Sequence, residues 1–213
     1  MHLTNNIIPL VSLATVCLLG SGCAFIDNKV DLQYHALSNS PLRDIPPQRV
    51  EINVIDQRPE SERNSVGSVK NGFGSKTANV ISTEPVAQEI HAAIASEFLA
   101  AGHDVVRSEN NPEVLITVNL RRIDVDTVTN FFDVEVIAEI GTDVTVYNPI
   151  KTNSLASFPV SGSSVKSSQL VTESTRELAL NAALAEYIRS LIFNEELLTS
   201  LRKQNSESEK LIN

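Results

Sequence analysis

Two cysteines occur in this 213-residue chain, Cys17 and Cys23, and both lie in an apolar N-terminal stretch. Thiol chemistry is therefore confined to that stretch. Residues 24–213 can hold no disulfide framework, thiolate metal site or cysteine nucleophile. Cys23 has the telling neighbours: in "LLGSGCAF" it follows Gly20, Ser21 and Gly22. A signal peptidase requires small residues of this kind, because its subsites exclude bulk beside the bond it cuts. Cys17 follows Val16 and lacks that setting. A second pair, Asp56 and Arg58, continues the parity of Val50, Ile52 and Val54. The two side chains should therefore lie one pleat apart at the rim of an apolar strand face, as an ion pair. A ligand contact is the other reading of that pair.

Other constellations fail on spacing. The stretch "GSVKNGFGSKT" has Gly67 and Gly72 at P-loop distance, but Phe73 stands where the phosphate-binding lysine belongs. With Gly74 as the second glycine, Lys76 comes one place late and Val69 occupies the first glycine position. A flexible glycine loop is expected, with no nucleotide. Asp124, Asp126, Asp133, Glu135 and Asp143 alternate along strands, so they form solvated rows and do not converge as a hard-cation site must. His35, His91 and His103 lack metal-ligand spacing. His91 should flank a helix stripe, and His103, just after a helix-ending glycine, stands where a cation is favoured. No G-x-S-x-G elbow occurs. No catalytic residue, metal or cofactor is expected.

The apolar run Ile7–Leu19 is about 13 residues long, the length of a signal-peptide core and short of a bilayer span. Its exit into Gly-Ser-Gly-Cys resembles the lipobox of bacterial lipoproteins. That resemblance implies acylation of Cys23 as the first mature residue, with three acyl chains. One chain alone holds only marginally, whereas three make a lasting anchor. Ala24 in place of aspartate implies, by the same resemblance, the outer membrane, with the body facing the periplasm. A plain secreted protein cut nearby is the competing reading.

Composition fits this. The formal charge is -9, hydrophobic residues make up 42%, and Trp is absent. The acidic balance argues against nucleic acid, which requires a basic patch, and against electrostatic docking on anionic lipid. The core should be aliphatic.

Four regions are expected: a signal peptide at 1–22, a lipidated N-terminus and tether at 23–48, one domain at 49–203 and a frayed tail at 204–213. Prolines 41, 46 and 47 disfavour regular structure in the tether, which could reach roughly 80 Å at about 3.3 Å per residue. A short strand could dock at Val30, Leu32 and Tyr34. The domain should open with the strand "RVEINVIDQRP", followed by a loose hairpin with arms at 66–70 and 78–82. A helix over 84–101 carries Val86, Ile90, Ile94 and Phe98 as one stripe, capped by Thr83 and closed by Gly102. "HDVVRS" is a short strand. In "EVLITVNLRRIDVDTV" the apolar parity flips at Arg121-Arg122, predicting a bulge. "FDVEVIAEIGTDVTVYN" alternates without a slip and completes a long antiparallel hairpin. A further strand is expected around 156–161. A helix over 175–193 should begin at a Ser174–Glu177 capping box and bury Leu178, Ala182, Ala185, Ile188 and Ile192. The fold class is α+β: an antiparallel sheet with a long hairpin and two main helices packed on one face.

In order and spacing, the Cys23 lipobox, "VEINVIDQRP", "VAQEIHAAIASEFLAAGHDVV", "EVLITVNLRRIDVD", "FDVEVIAEIGTDVTVYN" and "ALNAALAEYIRSLIFNEELLTSL" resemble the YajG-like family of bacterial lipoproteins. The resemblance implies an envelope lipoprotein without catalytic residues. Its expected contacts are the membrane, through Cys23, and another envelope component that it binds or supports. Two rival functions remain open: an auxiliary lipoprotein of a lipid or lipopolysaccharide transport complex, which needs an apolar groove between helices and sheet, and a periplasmic hydrolase, which needs a convergent pocket with a perturbed carboxylate or histidine.

Overall fold

The computed structural model describes residues 26–70, 73–129, 133–149 and 153–212. The expected signal peptide at 1–22 and the lipidation candidate Cys23 lie outside the described residues. The strands are β1 (Asn28–Val30), β2 (Arg49–Asp56), β3 (Ser65–Lys70), β4 (Lys76–Ser82), β5 (Asp104–Val105), β6 (Val114–Thr129), β7 (Val134–Asn148) and β8 (Asn153–Ser168). Helix α1 (Val86–Ala100) lies between β4 and β5, and α2 (Glu173–Ile192) and α3 (Glu195–Ile212) close the chain.

The long hairpin is present. β6 and β7 pair antiparallel from Leu115↔Tyr147 to Thr129↔Val134, and β8 adds a third long antiparallel strand. The register slips between Leu120 and Arg122, so Arg121 is the extra residue of a bulge. The slip returns Ile123 and Val125 to the buried face occupied by Val118 and Leu120.

The sheet is mixed, which corrects the expectation of an antiparallel one. β2 runs parallel to β6, from Val50↔Val114 to Asp56↔Leu120, and β3 touches β6 in parallel at Gly67↔Val125. β5 joins β2 and β1 joins β4, both parallel. The reason is topological. The β3–β4 hairpin and α1 lie between β2 and β6, and a crossover of that length lets the chain re-enter the sheet in the same direction. β2 and β3 thus share one edge of β6, on either side of the bulge.

The two main helices lie against one face. α1 buries Val86, Ile90, Ile94 and Phe98, the stripe expected from their spacing. Its first turn has no side-chain cap: Pro85 occupies the N-cap position, and the Thr83 hydroxyl donates to the Val30 carbonyl. Gly102 follows the helix at φ +93°, a conformation only glycine adopts readily. α2 starts earlier than expected and is capped by Thr172, whose hydroxyl exchanges bonds with Thr175. Its buried side is Ala179, Leu180, Ala183, Leu184, Tyr187, Ile188, Leu191 and Ile192, while Leu178 is 63% exposed. Ile188 and Ile192 are buried as expected, but Leu178, Ala182 and Ala185 fall outside the buried side, because bulk did not choose the face in the first half of the helix. Ala179 and Ala183 did, by letting the helix backbone approach β8. Each fully buried Leu or Ile on this layer stabilises the fold by roughly 1.5–3 kcal/mol.

The segment expected to be a tether is largely docked. β1 extends the sheet, the Gln33 amide donates to Asn181 of α2, and Leu42 and Ile45 are buried. These apolar anchors outweigh the prolines' disfavour for regular structure, and the segment forms a strap across α1 and α2. The tail expected to fray at 204–213 continues α3 to Ile212, with Gln204 buried against Asn148.

Candidate functional site

Asp56 ends β2 and Arg58 follows two residues later. The Arg58 Nη2 lies 2.7 Å from Asp56 Oδ2 and Nε lies 3.0 Å from Oδ1, a bidentate pair. Nη1 donates to the Ser65 carbonyl and Nη2 also to that of Arg63, at 2.7 and 2.8 Å. The side chains are only 5% and 9% exposed, so the pair expected at a rim is enclosed. It ties the chain leaving β2 to the chain entering β3. Every guanidinium nitrogen is already engaged, and that argues for a structural role over ligand contact.

Because β2 and β3 leave a gap along β6 at the bulge, a surface cleft of about 380 Å³ opens there, lined by Arg58, Lys76, Arg121, Arg122 and Asp124 among others. Its arginines are compensated. Arg121 pairs with Asp143 at 2.7 Å, and Arg122 with Glu139 at 2.9 Å and Asp124 at 3.8 Å. Burial pushes the Asp124 carboxyl up, against the opposing pull of Arg122. Nearby, burial also acts to raise Asp126, but bonds from Lys70 and the Thr127 amide outweigh it and hold that carboxyl low. These acids lie on the outer sheet face, as their alternation predicted.

Two buried ionisable side chains on and after α1 hold the strap. Glu97 is wholly buried, and its Oε1 accepts from the Tyr34 hydroxyl and from the Leu37 amide. His103 is 2% exposed; its Nδ1 accepts from the Gln48 amide at 3.2 Å and its Nε2 donates to the Leu42 carbonyl at 3.1 Å. That bonding fixes the neutral tautomer. Burial lowers the imidazole's affinity for a proton, so His103 is not the helix-end cation its position suggested. Sequence reasoning named Tyr34 only as part of a docking strand and missed Glu97, its buried partner. The available signal was a carboxylate three residues after Ile94 on an otherwise apolar helix side, a placement that demands a buried partner.

Neither Glu97 nor His103 lines a described cleft. The cleft beside the strap, about 300 Å³, contains Tyr34, Glu89 and Ser96, and burial raises the Glu89 carboxyl there. His35 lines it too, but the Ser96 hydroxyl donates to the Ala93 carbonyl of its own helix at 2.7 Å, and among the described residues no hydrogen bond links Ser96 to His35 or Glu89. No group of three metal-ligating side chains occurs among the described residues. The seam between helices and sheet, where a lipid carrier would need a groove, is filled by Ile140, Leu180, Leu184, Tyr187 and Ile188.

A family described as uncharacterized lipoprotein matches residues 46–202, from the strap's end through the first turns of α3. The chain belongs to this YajG-like lipoprotein family. The domain of this lipoprotein is similar to protein XCC0632 from Xanthomonas campestris, with a TM-score of 0.60 at 13% identity, covering 84% of this chain and 99% of that one. It matches a minor lipoprotein from Acinetobacter baumannii over 71% of this chain and 94% of that one, at 10% identity and a TM-score of 0.41. It matches lipoprotein GNA1162 from Neisseria meningitidis over 62% and 92%, at 9% identity and a TM-score of 0.35. The XCC0632 match shows a shared fold. No curated protein matches the lipoprotein. Neither the family nor these neighbours carries an enzymatic name. Among the described residues, no helix is long and apolar enough to cross a membrane.

Proposed function

We propose that this lipoprotein is a non-catalytic envelope protein, held to the periplasmic side of the outer membrane by acyl chains on Cys23, and that it binds or supports another envelope component through its bare sheet face. One observation carries the reading. Among the described residues, the helices cover a single face of β6, β7 and β8 and nothing forms a second layer on the opposite face, over strands of 15 to 16 residues. On that face Ile137 and Tyr147 interleave with Glu139, Asp143, Arg121 and Arg122, an apolar and charged mixture suited to a protein partner. Among the described residues, a lipid-carrier role finds no groove to support it, and a hydrolase no nucleophile bonded to a base.

The test is site-directed photocrosslinking in intact envelopes. A photoreactive residue at Ile137 or Thr145 should capture one discrete envelope protein, and one at Leu178 on the helix layer should not. Equal labelling from both layers would remove the face from the account. Separately, Cys23→Ser should release the protein from the membrane fraction, and its retention there would remove the anchor.

A further inference from the structure

The exposed apolar residues are not scattered evenly. β1 runs parallel to β4, with Asn28↔Val80, so the chain preceding β1 points back toward the start of β4. Asp27 confirms the direction by accepting a bond from the Asn79 amide at 2.7 Å. The start of β4 is the β3–β4 turn, where Phe73 is 98% exposed. β3 is parallel to β6 at Gly67↔Val125, and Lys70 pairs with Asp126 at 2.6 Å, so this turn is level with the far end of β6. Val128, 41% exposed, is there. β8 ends at the same level, where Ser168 pairs with Val134, and Leu170 follows it at 71% exposure. Ile26, 65% exposed, leads into β1 from this side. One pole of the molecule therefore gathers Ile26, Phe73, Val128 and Leu170. Leu99 and Phe193, at the C-terminal ends of α1 and α2, mark the other.

The chain length outside the described residues says what covers this pole. Cys23 is three residues before Ile26, a span of at most about 10–11 Å in an extended chain. Because the strap is docked, the lipid-bearing sulfur cannot stand far from the pole. Exposed Lys29, Lys76 and Lys166 lie within a few residues of it, against exposed Asp27, while Lys70 is already paired with Asp126. Lysines around an aromatic residue match a bilayer interface, with the ring among the acyl carbonyls and the ammonium groups at headgroup phosphates.

We infer that this pole is a membrane-contact surface, with Phe73 entering the lipid interface beside the acylated Cys23 and fixing the orientation of the domain. The inference rests on the proposed anchor. It means the domain rests on the bilayer with its long strands leading away from it, and it does not swing on a tether.

The chain contains no Trp, so a single substitution supplies a clean reporter. Full-length acylated Phe73→Trp protein would be reconstituted into phosphatidylethanolamine–phosphatidylglycerol vesicles with brominated acyl chains, beside Leu99→Trp as the opposite-pole control. The expected result is blue-shifted emission quenched several-fold more for F73W than for L99W, with Val128→Trp intermediate. Co-flotation of F73W with vesicles but water-like, unquenched emission overturns the contact surface alone. Failure to co-float, with an unmodified Cys23 by mass spectrometry, overturns the anchor and this inference together.

Discussion

Gly162 of β8 lies directly against Tyr187 of α2: a β-carbon at Gly162 would stand 2.2 Å from the Tyr187 amide nitrogen and 2.5 Å from the Ala183 carbonyl oxygen. Those are backbone atoms and cannot move aside as a flexible side chain can. Gly162→Ala should therefore lift α2 off the sheet and destabilise the domain by about 3 kcal/mol or prevent folding. Gly141→Ala, whose nearest neighbour would be the Arg122 β-carbon at 3.9 Å, should stay within about 0.5 kcal/mol of the parent. Urea denaturation of the two variants side by side checks the contrast.

The enclosed Asp56–Arg58 pair makes a second prediction. Arg58→Met leaves Asp56 charged and buried and strips the Ser65 and Arg63 carbonyls of their donors. A loss of about 3–5 kcal/mol is expected. Asp56→Asn keeps an acceptor for Arg58 and should lose less. Chemical denaturation of both variants orders them, and an Arg58→Met variant as stable as the parent would contradict the pairing.

His103 sets a pH dependence. Its proton affinity is lowered in the folded state, first by burial, while the unfolded imidazole titrates near its ordinary value of about 6.5. Above that pH both states are neutral there and the stability is fully present. As pH falls through about 6.5 toward the folded value, the unfolded chain binds a proton that the folded chain refuses, and stability is lost. The slope is at most about 1.4 kcal/mol per pH unit. Stability curves at pH 7.5 and 5.5 should differ for the parent, and the difference should shrink in His103→Gln.

The Tyr34 phenol is one anchor of the strap. Burial, and then the bond to Glu97, push the Tyr34 hydroxyl well above its usual range, so it remains a donor at any physiological pH. Tyr34→Phe leaves Glu97 with the Leu37 amide as partner and should cost about 1–3 kcal/mol. Hydrogen exchange at the Leu37 amide should accelerate while amides in β6 and β7 keep their protection. Unchanged exchange at Leu37 would detach Tyr34 from the docking of the strap.

Much of this architecture was legible in the chain because it is local. The period-two runs of β6 and β7 and the slip at Arg121 were readable because adjacent side chains on a strand report which face is buried. The α1 stripe was readable for the matching helical reason. The phase of α2 was not, because Leu178 looks more apolar than Ala179. The choice between them rests on how closely β8 approaches, and that approach depends on Gly162, which is remote in sequence. The enclosure of Arg58 was equally hidden: its partners Arg63 and Ser65 offer carbonyl oxygens, which every residue type carries and no pattern marks.

What the chain determined by itself was the β6 and β7 strands with their bulge, the α1 stripe, the aliphatic core and the small-residue setting of Cys23, since each follows from neighbours within a few positions. What only the tertiary structure decided was the parallel pairing of β2 with β6, the docking of the strap by Glu97 and His103, and the gathering of Ile26, Phe73, Val128 and Leu170 at one pole. The physical reason is that strand direction and surface juxtaposition are set by which distant segments share an edge, and side-chain periodicity has no term for that.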